Sequence, residues 1–264
     1  MFFDLTQLEC EFIKNESTYK SYFSVDEIAY LQKKYYPDAF NSKSVRLEKI
    51  EQVSLNKVRI EFSESDFFSL LFSNILYREP YKEETILEDK IIKYKSQEVC
   101  DTNVLSKKYF ANNLAVSILI QDLKNNYLLV KRTNKLAIGA SLLSVSVTGG
   151  VDIEDLNSNN PIQTAAKREV FEELGLELMD SEFFLKGIFI GPQKLQPIAI
   201  CYAKLNQSFD EIKSLHGKDS KFEIDTHIFA SNEELESFLS RNMTEASRFQ
   251  IEMAGKTNFT SRTT

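Results

Sequence analysis

Residues 168–176, with the sequence Arg-Glu-Val-Phe-Glu-Glu-Leu-Gly-Leu, constrain this chain more than any other stretch. An α-helix advances about 100° per residue, so Glu169, Glu172 and Glu173 would share one face within an arc of about 100°. Like charges on adjacent turns repel each other. A hard divalent cation such as Mg²⁺ would remove that repulsion, because it prefers carboxylate oxygens. The alternative is a solvated acidic face, so the stretch alone leaves both readings open.

The preceding residues predict that this stretch ends a short helix. Residues 145–147 alternate like a strand, and Gly149 and Gly150 predict a tight loop after it. Pro161 suits the first helical position and Gly175 suits the helix end. Small or apolar residues also lie near the carboxylate side: Ile162, Ala165, Ala166 and Val170. We therefore expect the helix to approach a sheet closely, with its carboxylates turned partly inward.

The stretch resembles the Nudix box. Residues 168–176 match the second half of that motif, R-E-U-x-E-E-x-G-U with U apolar, at every defined position. Gly150 corresponds to the glycine that opens the motif, but the loop after it is longer than in the family. The first glutamate of the family pattern falls on Asn160, and Glu154 and Asp155 are the nearest acidic substitutes. In the family that glutamate supports the loop more than it holds the metal.

The resemblance implies an α+β fold, the Nudix α/β/α sandwich, over residues 109–264. Residues 1–108 are expected to form an N-terminal mixed α/β extension or small domain that packs as a scaffold or covers part of the substrate. In the second half the patterns predict strands at 114–120, 127–130, 182–191 and 197–205, and helices at 232–239 and 244–254. In the first half they predict a helix at 24–34, strands at 45–47 and 58–62, and a buried or interface segment at 67–76.

Nudix enzymes cleave a diphosphate linkage, and the resemblance assigns roles on that basis. It implies Mg²⁺, with Mn²⁺ as a substitute, held by Glu169, Glu172, Glu173 and the carbonyl of Gly150. Either Glu172 or Glu169 would take the proton of the attacking water. Many family members use a glutamate from a distant loop instead, for which Glu223 is the first candidate.

The remaining charged candidates have supporting roles. Glu211 is the second candidate for the distant base. Arg168 is expected to brace the helix through a buried ion pair with a glutamate. Arg132 and Lys135 are predicted phosphate contacts, because a guanidinium or ammonium group suits phosphate binding. The alternative for these two is a solvated loop charge, which contributes little.

Two functions of different kinds follow. The first is Mg²⁺-dependent hydrolysis of a nucleoside-diphosphate derivative, with a nucleotide sugar as the leading substrate. Residues 64–68, followed by Tyr77 and Arg78, resemble the UDP-sugar-hydrolysing branch of the family. The second is a non-catalytic nucleotide-binding or regulatory module on the same scaffold. Hydrolysis of capped RNA ends or dinucleoside polyphosphates is a weaker third hypothesis.

The amino-acid composition limits the classes of partner that the protein could bind. The 264 residues carry a net charge of −7, which argues against broad nucleic-acid or anionic-membrane binding. No apolar run reaches the roughly 18 residues of a membrane span. Cys10, Cys100 and Cys201 form no disulfide or zinc pattern, which favours a cytoplasmic location. We expect a nucleoside-diphosphate-linked small molecule as the partner, and a homodimer stays open.

Overall fold

The computed structural model describes residues 1–78, 86–99 and 101–256 of the chain, so Cys100 lies outside the described residues. The predicted α+β class is confirmed. The strands are β1 Phe2–Asp4, β2 Glu9–Lys14, β3 Lys43–Ser54, β4 Lys57–Asp66, β5 Ala115–Gln121, β6 Tyr127–Arg132, β7 Leu143–Val145, β8 Val147–Gly150, β9 Phe183–Ile190, β10 Pro197–Lys204 and β11 Ile224–Ala230. The α-helices are α1 Val25–Tyr35, α2 Phe67–Leu70, α3 Leu76–Arg78, α4 Glu88–Lys95, α5 Pro161–Leu174, α6 Ser220–Glu223 and α7 Glu245–Lys256.

Two sheets organise these elements. The larger has the order β1-β9-β10-β5-β6-β11, with β7 paired to β6 and β8 paired to β5. The smaller has the order β2-β4-β3, in which β2 runs parallel and β3 antiparallel to β4. No helix within the described ranges is long and apolar enough to cross a membrane.

Backbone contacts divide the chain into two compact units. The first contains residues 1–115, 150–162 and 187–199, and the second contains residues 116–149, 163–186 and those from 200 onward. The predicted division into residues 1–108 and 109–264 stays a prediction.

The first unit is built on the smaller sheet and an aromatic core. The predicted helix at 24–34 is α1, and Ser24 caps it: its Oγ accepts from the Glu27 N–H while the Glu27 carboxylate accepts from the Ser24 N–H. The predicted segment 67–76 is helical and buried, with a π-helix at Leu71–Ile75 between α2 and α3. Arg46 is fully buried, which is tolerated because Glu48 and the Phe110 carbonyl pair with it.

The second unit holds α5 from residue 163 onward, together with β6, β7 and β11. Helix α5 spans Pro161–Leu174, as the Pro161 and Gly175 signals predict. The residues predicted to face a sheet are fully buried: Ile162, Ala165, Ala166 and Val170. Strand β6 lies between β11 on one side and β5 and β7 on the other.

Two local predictions are wrong, each for an identifiable reason. The strand at 145–147 breaks at Ser146, because its Oγ donates to the Leu128 carbonyl and accepts from the Ile120 N–H, which separates β7 from β8. The helix predicted at 232–239 begins later and is a 3₁₀-helix at Leu235–Ser240. Its buried residues, Leu235 and Phe238, are three apart, the spacing that a 3₁₀ turn brings to one side.

Candidate active site

The C-terminal end of α5 is held in place by the loop at residues 216–219. Gly175 has a φ of 70°, the left-handed conformation that ends many helices. The Gly217 N–H donates to the Glu173 carbonyl at 3.1 Å, and the Asp219 N–H donates to the Glu172 carbonyl at 2.9 Å. A Cβ at Gly217 would lie 2.1 Å from the Glu172 carbonyl oxygen, so only glycine permits this approach. The loop therefore satisfies helix-end carbonyls that would otherwise lack donors.

Glu173 is the buried residue at the centre of the cluster of glutamates. It is 2% exposed, and its Oε1 has no hydrogen-bond partner. The backbone N–H of Thr148 donates to the carboxylate. Burial raises the pKa of Glu173 well above its ordinary value, and the nearby carboxylates of Glu223 and Glu169 raise it further. An unpaired buried carboxylate oxygen costs free energy, so this position favours a proton or a cation.

Glu169 lies against Gly149, near the end of β8. A Cβ at Gly149 would fall 1.9 Å from the Glu169 Cδ and 2.2 Å from each carboxylate oxygen. Gly149 therefore leaves the space that the carboxylate occupies. The neighbouring Gly150 is different, because a Cβ there would meet nothing closer than Asp152 Oδ1 at 3.9 Å.

Glu223 joins the same group through strand pairing. Ile224, the first residue of β11, pairs with Arg132 at the end of β6, and the Thr133 N–H donates to the Glu223 carbonyl at 3.0 Å. Arg132 Nη2 lies 3.5 Å from Glu223 Oε2, and Nη1 donates to Thr148 Oγ1 at 2.6 Å. Burial raises the pKa of Glu223, while the Arg132 guanidinium opposes that rise.

Glu172 is held by two cations. Arg168 Nη1 lies 3.2 Å from Glu172 Oε2 and 2.9 Å from Glu169 Oε1. Lys218 Nζ lies 2.8 Å from Glu172 Oε1. The predicted pairing of Arg168 with glutamates is present, but the arginine side chain is half-buried rather than buried, at 24% exposure.

The structure therefore brings together five of the predicted site residues: Glu169, Glu172, Glu173, Arg168 and Glu223. Arg132 is also there, and its guanidinium contacts Glu223 and Thr148. Lys135 is exposed in the loop after β6. Glu211 caps its own 3₁₀ turn by accepting from the Ser208 N–H at 2.9 Å. The assigned roles of these residues stay predictions.

The atoms at this site that could bind a metal ion are of the kind that a hard cation prefers. Glu173 Oε1 is buried without a partner, the carboxylates of Glu169 and Glu223 are close enough to raise the pKa of Glu173, and every donor is oxygen. Among residues 1–78, 86–99 and 101–256, however, no three His, Cys, Asp or Glu side chains form a group that could hold a metal ion as they stand. Binding would therefore require side-chain adjustment, with Arg168 and Lys218 as the nearest competitors for carboxylate oxygens.

Sequence reasoning missed three contributors to this arrangement. Gly149 was predicted to lie in a loop, whereas it belongs to β8 and approaches the Glu169 carboxylate closely. Thr148 supplies both a backbone N–H to Glu173 and a hydroxyl to Arg132. Lys218 lies beside Glu172, and no local sequence pattern places it there.

No family model and no curated protein matches the sequence. Solved structures that it resembles include DR0079 from Deinococcus radiodurans (14% identity, TM-score 0.41, covering 53% of this chain and 82% of that one). Tm1382, described as a candidate Nudix hydrolase, has 17% identity and a TM-score of 0.40 over 55% of this chain and 71% of its own. A MutT protein from Methanosarcina mazei Go1 has 15% identity and a TM-score of 0.42 over 56% of this chain and 96% of its own.

Proposed function

We propose that this chain is a Nudix-type hydrolase that uses Mg²⁺ to cleave the diphosphate linkage of a nucleoside-diphosphate derivative. The observation that carries the proposal is the unpartnered Oε1 of buried Glu173, set among the carboxylates of Glu169 and Glu223. A solvated acidic helix face would not bury its central carboxylate. A cation at this position would remove both the desolvation cost and the repulsion between carboxylates.

The roles of the residues follow from their surroundings. Glu173 and Glu169 would hold the cation, with Glu172 and the Gly150 carbonyl assisting, and Mn²⁺ would substitute for Mg²⁺. The bound metal would neutralise phosphate charge and acidify a water molecule. Glu223 would accept the proton of that water, because its raised pKa makes it a better base near neutral pH than an exposed glutamate. Arg132 would hold the Glu223 carboxylate in place.

The substrate is proposed at the level of its chemistry. Carboxylates and a metal recognise a diphosphate group, so a nucleoside diphosphate joined to a second group is the class that fits. A nucleotide sugar is the leading member, on the resemblance of residues 64–68. A small molecule is the proposed partner rather than a nucleic acid, given the net charge of −7.

A panel of substrates tests the proposal. Nucleotide sugars, dinucleotides and nucleoside triphosphates are incubated with the full chain, with and without Mg²⁺, and release of phosphate or nucleotide is measured. We expect Mg²⁺-dependent release from one class, and a loss on the order of 10³-fold in Glu173→Gln, because metal stabilisation amounts to several kcal/mol. Equal rates in the two proteins would refute the assignment of Glu173.

A non-catalytic nucleotide-binding module is the second candidate, and the ion pairs favour it. Glu169 and Glu172 already have cationic partners, and the sequence places Asn160 where the family has a glutamate. This candidate predicts that nucleotides bind, as measured by calorimetry, without turnover at any Mg²⁺ concentration.

A further inference from the structure

The contact between Lys218 and Glu172 bears on how the site takes up a cation. Lys218 Nζ lies 2.8 Å from Glu172 Oε1. The lysine side chain is 65% exposed, whereas the Glu172 side chain is 20% exposed. The lysine is therefore solvated, and the glutamate belongs to the cluster of glutamates at the site.

The backbone of Lys218 is fixed although its side chain is exposed. Its two neighbours, Gly217 and Asp219, donate their N–H groups to the carbonyls of Glu173 and Glu172. The close approach at Gly217 leaves no room for a side chain there. The ammonium group is thus attached to a rigid point at the end of α5 and can reach Glu172 or move off it by side-chain rotation alone.

A positive charge is favourable at the C-terminal end of α5, where Lys218 lies. The C-terminal end of a helix carries partial negative charge, and α5 adds three glutamates to its final turns. Arg168 is shared between Glu169 and Glu172, so one half-buried cation faces two carboxylates. Lys218 supplies the second positive charge, 2.8 Å from the Glu172 carboxylate.

We propose that Lys218 is a positioning residue that occupies Glu172 in the metal-free protein and leaves it when a divalent cation binds. The proposal rests on the function proposed above. An exposed ion pair contributes little, so the exchange costs little. Repulsion between the incoming cation and the ammonium group drives Lys218 off the carboxylate, and Glu172 becomes free to turn toward the metal.

Mg²⁺ binding by the full chain, measured by calorimetry without substrate, tests this exchange. Lys218→Met removes the charge but keeps the apolar stem. Lys213→Met is the matched control, since it removes the same charge from an exposed lysine of the same stretch. We expect Lys218→Met to bind Mg²⁺ about two- to five-fold more tightly than the control, the scale of an exposed ion pair. Lys218→Arg, which retains the charge, should bind like the parent protein.

The decisive comparison repeats both substitutions in a Glu172→Gln background. If Lys218 acts through Glu172, the difference between Lys218→Met and Lys213→Met disappears there. A difference that persists would make Lys218 a general counter-charge for the helix end and overturn the exchange. Mg²⁺ binding that is equal in Lys218→Met and Lys213→Met would overturn the exchange alone. Absence of Mg²⁺ binding in every variant would overturn both the exchange and the proposed metal-dependent function.

Discussion

The carboxylate of Glu169 fills the space beside Gly149 that any other residue's Cβ would take. The added atom would lie 1.9 Å from the Glu169 Cδ. This contact joins the end of β8 to the helix that carries the proposed metal ligands. It also makes the position of one ligand depend on a residue that has no side chain.

Gly149→Ala should therefore displace Glu169 without unfolding the protein. The atoms that must move are the far end of a flexible side chain, so we expect the melting temperature to change by only a few degrees. Turnover should fall by about 10²-fold, the scale of a misplacement of about 1 Å in a catalytic group. Gly150→Ala is the matched change, because its new methyl group meets nothing closer than 3.9 Å, and it should reduce turnover far less. Similar losses in the two variants would contradict the role of Gly149.

The burial of Glu173 makes the stability of the metal-free protein depend on pH. The folded-state pKa of Glu173 lies above its ordinary value of 4.5, so the folded protein holds this proton more tightly than the unfolded chain does. The resulting stabilisation is fully present below pH 4.5 and is lost as the pH rises through the folded-state pKa. Glu223 has a raised pKa as well and contributes with the same sign.

Glu173→Gln isolates this contribution, because glutamine does not titrate. The melting temperatures of the variant and the parent protein are compared with a chelator present. The variant should become more stable relative to the parent protein as the pH rises from about 4.5 to about 8. Saturating Mg²⁺ should stabilise the parent protein more than the variant and reduce the difference. A difference that does not change with pH would mean that Glu173 is not a strained buried carboxyl group.

Arg132 and Lys135 were both predicted to contact phosphate, and the structure places them in different surroundings. Arg132 contacts Glu223 and Thr148, whereas Lys135 is exposed. Arg132→Met should therefore lower kcat with little change in KM, because it releases the Glu223 carboxylate. Lys135→Met should raise KM and leave kcat near that of the parent protein, if the lysine binds phosphate. Steady-state kinetics on the substrate found in the panel makes the comparison, and a raised KM in Arg132→Met would favour the predicted phosphate contact instead.

Glu223 and Glu211 were the two candidates for a distant base. Glu223 is partly buried beside Arg132, whereas Glu211 caps a surface turn. Glu223→Gln should lower kcat by about 10²- to 10⁴-fold, the usual contribution of a general base. Glu211→Gln should retain nearly full activity, and the reverse order of the two variants would exchange their roles.

Much of the second unit could be predicted because its signals are local. Pro161 and Gly175 mark the two ends of α5, and the apolar positions between them show which side is buried. The carboxylates could be placed on one face by helical periodicity alone. Strands β5, β6, β9 and β10 lie within a few residues of their predicted positions.

The remaining features depend on contacts between residues distant in sequence. Lys218 reaches Glu172 only because the loop at 216–219 folds onto the end of α5. Glu223 lies beside Arg132 because β11 pairs with β6, and neither α6 nor β11 was predicted as a regular element. The break at Ser146 follows from hydrogen bonds to two other strands. No periodicity or turn signal encodes such pairings.

Anomalous diffraction from crystals soaked in Mn²⁺ would show whether a cation binds at Glu173. We expect a peak at bonding distance from carboxylate oxygens of Glu173 and Glu169, about 2.0–2.1 Å as for Mg²⁺. We also expect that Lys218 has moved off Glu172 in the same crystals. A Mn²⁺-saturated crystal with no peak at these carboxylates, and with Glu173 Oε1 still without a hydrogen-bond partner, would contradict the proposed metal site.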